Sequence, residues 1–118
     1  MEQAKKIIAV VGSRGIRSCA ALSARLAELA PDQVVSGGAQ GVDGLAAAWA
    51  RANGVPLLEL RPDYAAHGPT AATHIRNAEI VRRATRVLVV WDGKSRGTLS
   101  ALNVARRLGK PCELLAQD

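Results

Sequence analysis

Short apolar runs alternate along this chain with longer segments in which apolar residues recur every three or four positions. The runs have the length of β-strands, and Ile7–Val11 is continuously apolar, as expected for a strand that is buried on both faces. The longer segments predict helices, because their spacing places the apolar residues on one helical face. We predict five strands: Ile7–Val11, a short strand beginning at Val34-Val35, Pro56–Leu60, Arg86–Trp91 and Cys112–Leu115.

The helical spacing occurs in four segments: Ile16–Ala30, Val42–Ala50, about Ala71–Ala84 and Leu99–Leu108. Stop signals follow three of them, at Pro31, at Gly54 and Pro56, and at Gly109-Lys110-Pro111. The segment Arg61–Thr70 contains two prolines and one glycine, so we predict a long loop there.

Strands and helices therefore alternate strictly, with short connections. Because crossovers between parallel strands are right-handed, this alternation predicts an α/β protein: a three-layer Rossmann-like fold with a five-stranded parallel sheet and helices on both faces. The chain has 118 residues, of which 48% are hydrophobic, so one domain over residues 1–118 is expected. The simplest strand order is 3-2-1-4-5, and the flavodoxin-like order 2-1-3-4-5 is the alternative.

Three of the strands are followed directly by a glycine-rich turn that leads into a helix. The first turn is Gly12-Ser13-Arg14-Gly15, the second is Ser36–Gly41 and the third is Asp92–Thr98. A helix start offers unpaired N–H groups and a positive dipole end, and glycine lets a phosphate approach the backbone closely. In the order 3-2-1-4-5 all three turns would meet at one crevice, so we expect a pocket there for a phosphorylated or otherwise anionic ligand.

Two widespread nucleotide-binding motifs are absent. The chain has no Gly-x-Gly-x-x-Gly pattern, no acidic residue at the end of strand 2 to hold a ribose, and no complete Walker A pattern. Hydride transfer with a dinucleotide and P-loop hydrolysis are therefore disfavoured, and no cofactor is predicted. His67 and His74 flank no cluster of Cys, His or Asp residues, so no metal site is predicted either.

The formal net charge of +6 is compatible with a nucleic-acid partner but supports one only weakly. The basic residues are dispersed, and the aromatic residues that would stack on bases are scarce. No stretch reaches the roughly 18 apolar residues of a membrane span, and Met1–Lys6 is too short and polar to begin a secretory signal. We therefore expect a cytoplasmic protein with no membrane partner, in which Cys19 and Cys112 are buried free thiols.

Four motifs together resemble one superfamily: Val11-Gly12-Ser13-Arg14, Ser36-Gly37-Gly38-Ala39-x-Gly41-x-Asp43-x-x-Ala46, Arg76-Asn77 and Trp91-Asp92-Gly93-x-Ser95-x-Gly97-Thr98. They occur in this order in the SLOG superfamily, which joins the DNA processing protein A (Smf) group with the Lonely Guy phosphoribohydrolases. The chain is most similar to the small YspA- and YpsA-related branch, over nearly its whole length. The resemblance implies a Rossmann-like fold that binds a nucleotide or a nucleotide-derived ligand, and a homodimer or larger homo-oligomer.

The candidate ligand-binding residues are those of the three turns and the polar residues of the shared motifs: Gly12, Ser13, Arg14, Gly15, Gly37, Gly38, Ala39, Gly41, Asp43, Arg76, Asn77, Asp92, Gly93, Ser95, Arg96, Gly97 and Thr98. Backbone N–H groups of the turns would bind phosphate and ribose. Arg14 and Arg96 can pair with a phosphate through two hydrogen bonds. The hydroxyls of Ser95 and Thr98 can add donors or simply cap the helix, and Asp43 can bind the ligand or stabilise its helix start.

The third turn departs from the hydrolase pattern at one position. Phosphoribohydrolases carry Pro-Gly-Gly-x-Gly-Thr-x-x-Glu, where the glutamate aids cleavage of the N-glycosidic bond, and the matching position here is Ala101. Losing such a group typically costs about 10²–10⁴-fold in rate. Arg76, which matches an arginine of the phosphoribohydrolases, and Asp43 remain as candidate catalytic residues.

The sequence thus favours a protein that binds a nucleoside phosphate or an ADP-ribose-like ligand with little or no catalysis. The first alternative is an N-glycosidase that cleaves nucleoside 5′-monophosphates. The second is a single-stranded DNA-binding protein, drawn from the charge and from the similarity to DNA processing protein A.

Overall fold

The strands of the sheet are all parallel and are close to the predicted ones. The structure, a computed structural model, describes residues 5–118. The strands are β1 (Ile7–Gly12), β2 (Gln33–Ser36), β3 (Leu57–Glu59), β4 (Arg86–Val90) and β5 (Cys112–Leu114). Their order is β3-β2-β1-β4-β5, which confirms the Rossmann-like order and excludes the flavodoxin-like one.

Helices cover both faces of the sheet. They are α1 (Ala20–Leu29), α2 (Val42–Ala52), α3 (Tyr64–His67), α4 (Ala71–Arg83) and α5 (Arg96–Arg107). Side chains alternate along β1, so that Ile8 and Val10 pack with α1 and α2, whereas Ala9 and Val11 pack with α4 and α5. This alternation produces two separate hydrophobic cores and the predicted three layers.

Helix α1 begins four residues later than predicted, at Ala20 rather than at Ile16. Ile16 is buried in the core, but the chain reaches the helix through Cys19, whose backbone is extended. The N–H group of Ala20 donates a hydrogen bond to the Asp118 carboxylate at 2.7 Å, so the helix start is capped from the far end of the chain. Apolar spacing alone carries no information about such a cap.

The predicted long loop contains one additional helical turn, α3. Its start is capped by Asp63, whose carboxylate accepts a hydrogen bond from the Ala66 N–H group at 3.1 Å.

Both cysteines are free, but of the two predicted buried thiols only Cys19 is buried. Cys112 is half-buried because β5 is an edge strand. Within residues 5–118, none of the helices has the length and apolar character needed to cross a membrane.

Gly12 ends β1 at a point where other elements approach the backbone closely. A Cβ atom at Gly12 would lie 2.5 Å from the Val90 carbonyl oxygen and from the Val42 Cβ, whereas one at Gly15 would meet nothing within 4 Å.

We expect Gly12→Ala to lower the free energy of unfolding by about 1–3 kcal/mol through overpacking. Gly15→Ala, the matched control in the same turn, should change it by less than about 0.5 kcal/mol. Urea unfolding measures both, and equal stabilities would contradict this packing.

Candidate functional site

The carboxyl ends of β1, β2 and β4 open on one cavity of about 340 Å³. All three glycine-rich turns contribute to its wall, together with one face of α4. Strand β1 lies between β2 and β4 in the sheet, so the three turns that follow these strands must be neighbours. The cavity therefore lies where the strand order predicts a binding crevice.

The structure brings together some of the predicted site residues and leaves others outside the wall. The predicted residues that line the cavity are Gly12, Arg14, Gly37, Ala39, Asp43, Arg76, Asn77, Ser95, Gly97 and Thr98. The predicted residues that do not line it are Ser13, Gly15, Gly38, Gly41, Asp92, Gly93 and Arg96. Arg96 instead lines a groove on the outer surface of α4 and α5.

Several lining residues were not among the predicted ones: Val11, Tyr64, Thr73, Ile80 and Ala101. Thr73 and Ile80 share one face of α4 with Arg76 and Asn77, at the spacing i, i+3, i+4, i+7. Extending the helical periodicity from Arg76 in both directions would have predicted Thr73 and Ile80 as lining residues. Tyr64 has no such signal, because its place at the cavity depends on how α3 packs against α4.

Ser13 is buried between the turns, with 1% of its surface exposed, and hydrogen-bonds to the segments around it. Its N–H group donates to the Val90 carbonyl at 3.1 Å, and its own carbonyl accepts from the Val42 N–H group at 3.3 Å. Its hydroxyl accepts from the Asp92 N–H group at 3.0 Å. Ser13 thus connects the first turn to the third turn and to the start of α2.

The third turn is organised by its own side chains. The Asp92 carboxylate accepts hydrogen bonds from the N–H groups of Lys94 at 2.8 Å and Ser95 at 2.9 Å, and these bonds hold the pKa of Asp92 below its ordinary value. The Ser95 hydroxyl accepts from the Thr98 N–H group at 3.3 Å and lies 3.0 Å from the Thr98 hydroxyl. Ser95 therefore caps α5, which was one of its two predicted roles.

Gly93-Lys94-Ser95 has the same residues as the last triplet of a Walker A loop, but the complete pattern is absent. Leu88 occupies the position of the first glycine and is buried inside β4. Lys94 is exposed and does not line the cavity. This turn is therefore not a P-loop.

Asp43 stabilises the second turn from the first turn of α2. It is 8% exposed, and its carboxylate accepts a hydrogen bond from the Ala39 N–H group at 3.1 Å. Burial raises the pKa of Asp43 above its ordinary value, although the Ala39 hydrogen bond and the nearby Arg76 charge oppose the shift. The N-cap residue of α2 is Gly41, with φ +73°, which has no side chain to cap the helix.

Arg76 and Asn77 connect the second and third turns from α4. The Arg76 guanidinium donates to the Gly37 carbonyl at 2.8 Å, to the Leu60 carbonyl at 3.3 Å and to the Asn77 amide oxygen at 2.9 Å. The Asn77 amide nitrogen in turn donates to the Gly97 carbonyl at 3.3 Å. These contacts hold the second and third turns in fixed positions around the cavity.

Two guanidinium groups and one carboxyl lie at the cavity wall, those of Arg14, Arg76 and Asp43. Burial lowers the pKa of the Arg76 guanidinium, the Asp43 charge opposes this shift and the Arg14 charge adds to it, but an arginine stays protonated in proteins. Arg14 is exposed and forms no ion pair within residues 5–118. No group of three or more His, Cys, Asp or Glu side chains in that range could hold a metal ion.

The two aspartates near the cavity should affect stability in opposite directions as pH changes. The pKa of Asp43 is raised on folding, so its ionisation makes the protein less stable as pH rises above the unfolded value of about 3.9. The pKa of Asp92 is lowered, so its contribution to stability is present above that value and is lost as pH falls.

We therefore expect the free energy of unfolding of Asp43→Asn, relative to wild type, to increase as pH rises through the acid range. That of Asp92→Asn should decrease over the same range. Urea unfolding of both variants and the wild type between about pH 3 and pH 7 measures the two trends. Parallel trends in the two variants would contradict these opposite shifts.

Comparison with known proteins identifies the family. The family model for YAcAr, the YspA, cpYpsA-related SLOG family, matches residues 6–67, which is more than half of the chain. The match contains the first and second turns and Asp43, whereas α4 and the third turn lie outside it. None of the curated proteins compared with the chain matches it. The chain therefore belongs to the YspA, cpYpsA-related SLOG family, as its motifs predicted.

Proposed function

We propose that the crevice binds a nucleoside phosphate or an ADP-ribose-like ligand, with the phosphate at the glycine-rich turns. Membership of the SLOG family suggests nucleotide-related binding or processing. The observation that carries the proposal is that three turns and two guanidinium groups meet at one cavity. Unpaired N–H groups at a helix start and planar guanidinium groups are the donors that phosphate binds best.

Electrostatics supports an anionic ligand in particular. Arg14 and Arg76 both line the cavity; burial is the main cause of the lowered pKa of Arg76, and the Arg14 charge contributes less. A phosphate between the two guanidinium groups would attract both of them.

The size and shape of the cavity favour a small ligand. Its volume of about 340 Å³ is at the lower end of the range of ligand pockets, roughly 300–1,000 Å³. A nucleoside monophosphate is therefore favoured over a dinucleotide. Tyr64 lines the cavity while 51% exposed, so its ring offers one face to a base. Ala101 also lines the cavity, at the position that matches the hydrolase glutamate.

Calorimetry with nucleoside monophosphates, ADP-ribose, NAD and cyclic nucleotides should find a ligand for the wild-type protein. For that ligand, Arg14→Ala should raise Kd by about 10- to 100-fold, because a hydrogen bond to a charged group contributes about 1.5–3 kcal/mol. Arg17→Ala is the matched control, because Arg17 is exposed in the same segment but does not line the cavity. It should bind as the wild type does.

Absence of binding to every one of these compounds would refute the proposal. Equal affinities of Arg14→Ala and Arg17→Ala would refute the assignment of the phosphate to the first turn. Both variants change one exposed arginine to alanine, so their net charge and expected stability are the same.

A second candidate function, the N-glycosidase, has one specific observation in its favour. Asp43 is a buried carboxyl with a raised pKa in the cavity wall, and a group of this kind can serve as a proton donor. The Asp43 proton would go to the leaving base as the N-glycosidic bond breaks and water attacks the anomeric carbon of the ribose phosphate, and the proton released by that water would restore the carboxyl. This role competes with the hydrogen bond by which Asp43 holds the second turn.

Product assays with AMP, GMP, CMP and UMP test this second function. If Asp43 is the proton donor, free base and ribose 5-phosphate accumulate, and Asp43→Asn lowers kcat by about 10²–10⁴-fold with a smaller effect on KM. Background rates with a nucleotide that demonstrably binds would exclude the N-glycosidase and leave the binding function. Self-association, the cytoplasmic location and binding of single-stranded DNA stay predictions from the sequence.

A further inference from the structure

The outer surface of α4 and α5 contains a groove that shares no lining residue with the crevice. Helix α5 supplies most of it, through residues that repeat at the spacing of one helical face: Arg96, Leu99, Ser100, Asn103, Arg106 and Arg107. His74 of α4 completes the wall, with its Nδ1 atom 2.9 Å from the Ser100 hydroxyl oxygen. We call this feature the α5 groove.

The α5 groove is positively charged. Among residues 5–118 none of the side chains that line it is acidic, and all three of its arginines are exposed. They form no ion pair within residues 5–118. By contrast, the two adjacent arginines at the end of α4, Arg82 and Arg83, both pair with Glu79.

The three arginines also have a fixed spacing. Arg96 and Arg106 are ten residues apart on one helix, which corresponds to about 15 Å along its axis. A row of arginines of this length on one helical face can contact several successive phosphates of a nucleic acid. Ser100 and Asn103 lie between them and add polar groups of the kind that bind phosphate oxygens.

We propose that the α5 groove binds the phosphate backbone of duplex DNA, independently of base sequence. None of the described residues that line the groove is Phe, Tyr or Trp, and the one imidazole, that of His74, is bonded to Ser100, so the groove lacks the large stacking surfaces on which single strands depend. A second copy of this chain, docked symmetrically, would bring like charges together. An acidic protein segment would need apolar anchors, and Leu99 is the one apolar side chain in the described wall.

The proposal has a quantitative consequence. Each phosphate neutralised by an arginine contributes about −0.9 to the slope of log K against log salt concentration. Three contacts give a slope of about −3, and a dissociation constant of about 10⁻⁴–10⁻⁶ M at physiological salt is typical of such binding. Affinity should then fall about 40-fold between 50 and 200 mM salt.

Fluorescence anisotropy of a labelled duplex of about 20 base pairs tests the proposal on the whole chain. The double variant Arg106→Gln/Arg107→Gln should reduce the slope to about −1, so that affinity falls only about 3- to 4-fold over the same salt range. The control Arg82→Gln/Arg83→Gln lowers the formal net charge by the same two units and also changes the last turn of a helix. It should keep the wild-type slope.

The proposal would be overturned by no binding of the duplex at low salt, by equal slopes for the two double variants, or by much tighter binding of the corresponding single strand. Polyglutamate that binds the groove more tightly than the duplex would assign it to acidic proteins and would overturn it as well. Nucleotide binding in the crevice should be unchanged in Arg106→Gln/Arg107→Gln. The same calorimetry therefore shows whether a loss of DNA binding reflects misfolding.

Discussion

The crevice depends on the hydrogen bonds of one buried serine. Ser13 offers an amide, a carbonyl and a hydroxyl, and each is bonded to a different partner: Val90, Val42 and Asp92. A buried polar group without a partner costs about 1–3 kcal/mol, so β1, the end of β4 and the start of α2 cannot separate without losing these bonds. The neighbouring position, Gly12, has no room for a Cβ atom, because such an atom would lie 2.5 Å from Val42 and from the Val90 carbonyl oxygen.

The polar side chains of the crevice also hold its turns in place. Arg76, Asn77 and Asp43 each bond the backbone of a turn, and they also line the cavity. The wall is therefore formed before any ligand arrives, and a ligand that fits it loses little affinity to reorganisation. Because these residues both hold the turns and line the cavity, we expect a substitution in the wall to change the shape of the site as well as its chemistry.

Helix α5 relates the two proposed sites to each other. Its inner face carries Thr98 and Ala101 into the crevice, and its outer face carries Arg106 and Arg107 into the α5 groove. An α-helix repeats every 3.6 residues, so neighbouring positions such as Ser100 and Ala101 lie on different walls. Arg96 was predicted in the crevice because it lies within the third turn, and the same periodicity places it in the groove instead.

Much of the fold and part of the site follow from the sequence. The alternation of strands and helices follows from local periodicity, and the parallel sheet follows from the handedness of crossovers, neither of which needs knowledge of distant contacts. Both strand orders considered from the sequence satisfy these rules. The start of α1 at Ala20 could not be predicted, because its cap, Asp118, is 98 positions away. The inward orientation of Ser13 depends in the same way on Asp92, 79 positions away. The sequence alone therefore determined the alternating parallel architecture, and the tertiary structure decided the strand order that brings the three turns together at one crevice. Only the tertiary structure decided which polar residues hold the turns together and which face the cavity, because that choice is made by hydrogen bonds between distant segments.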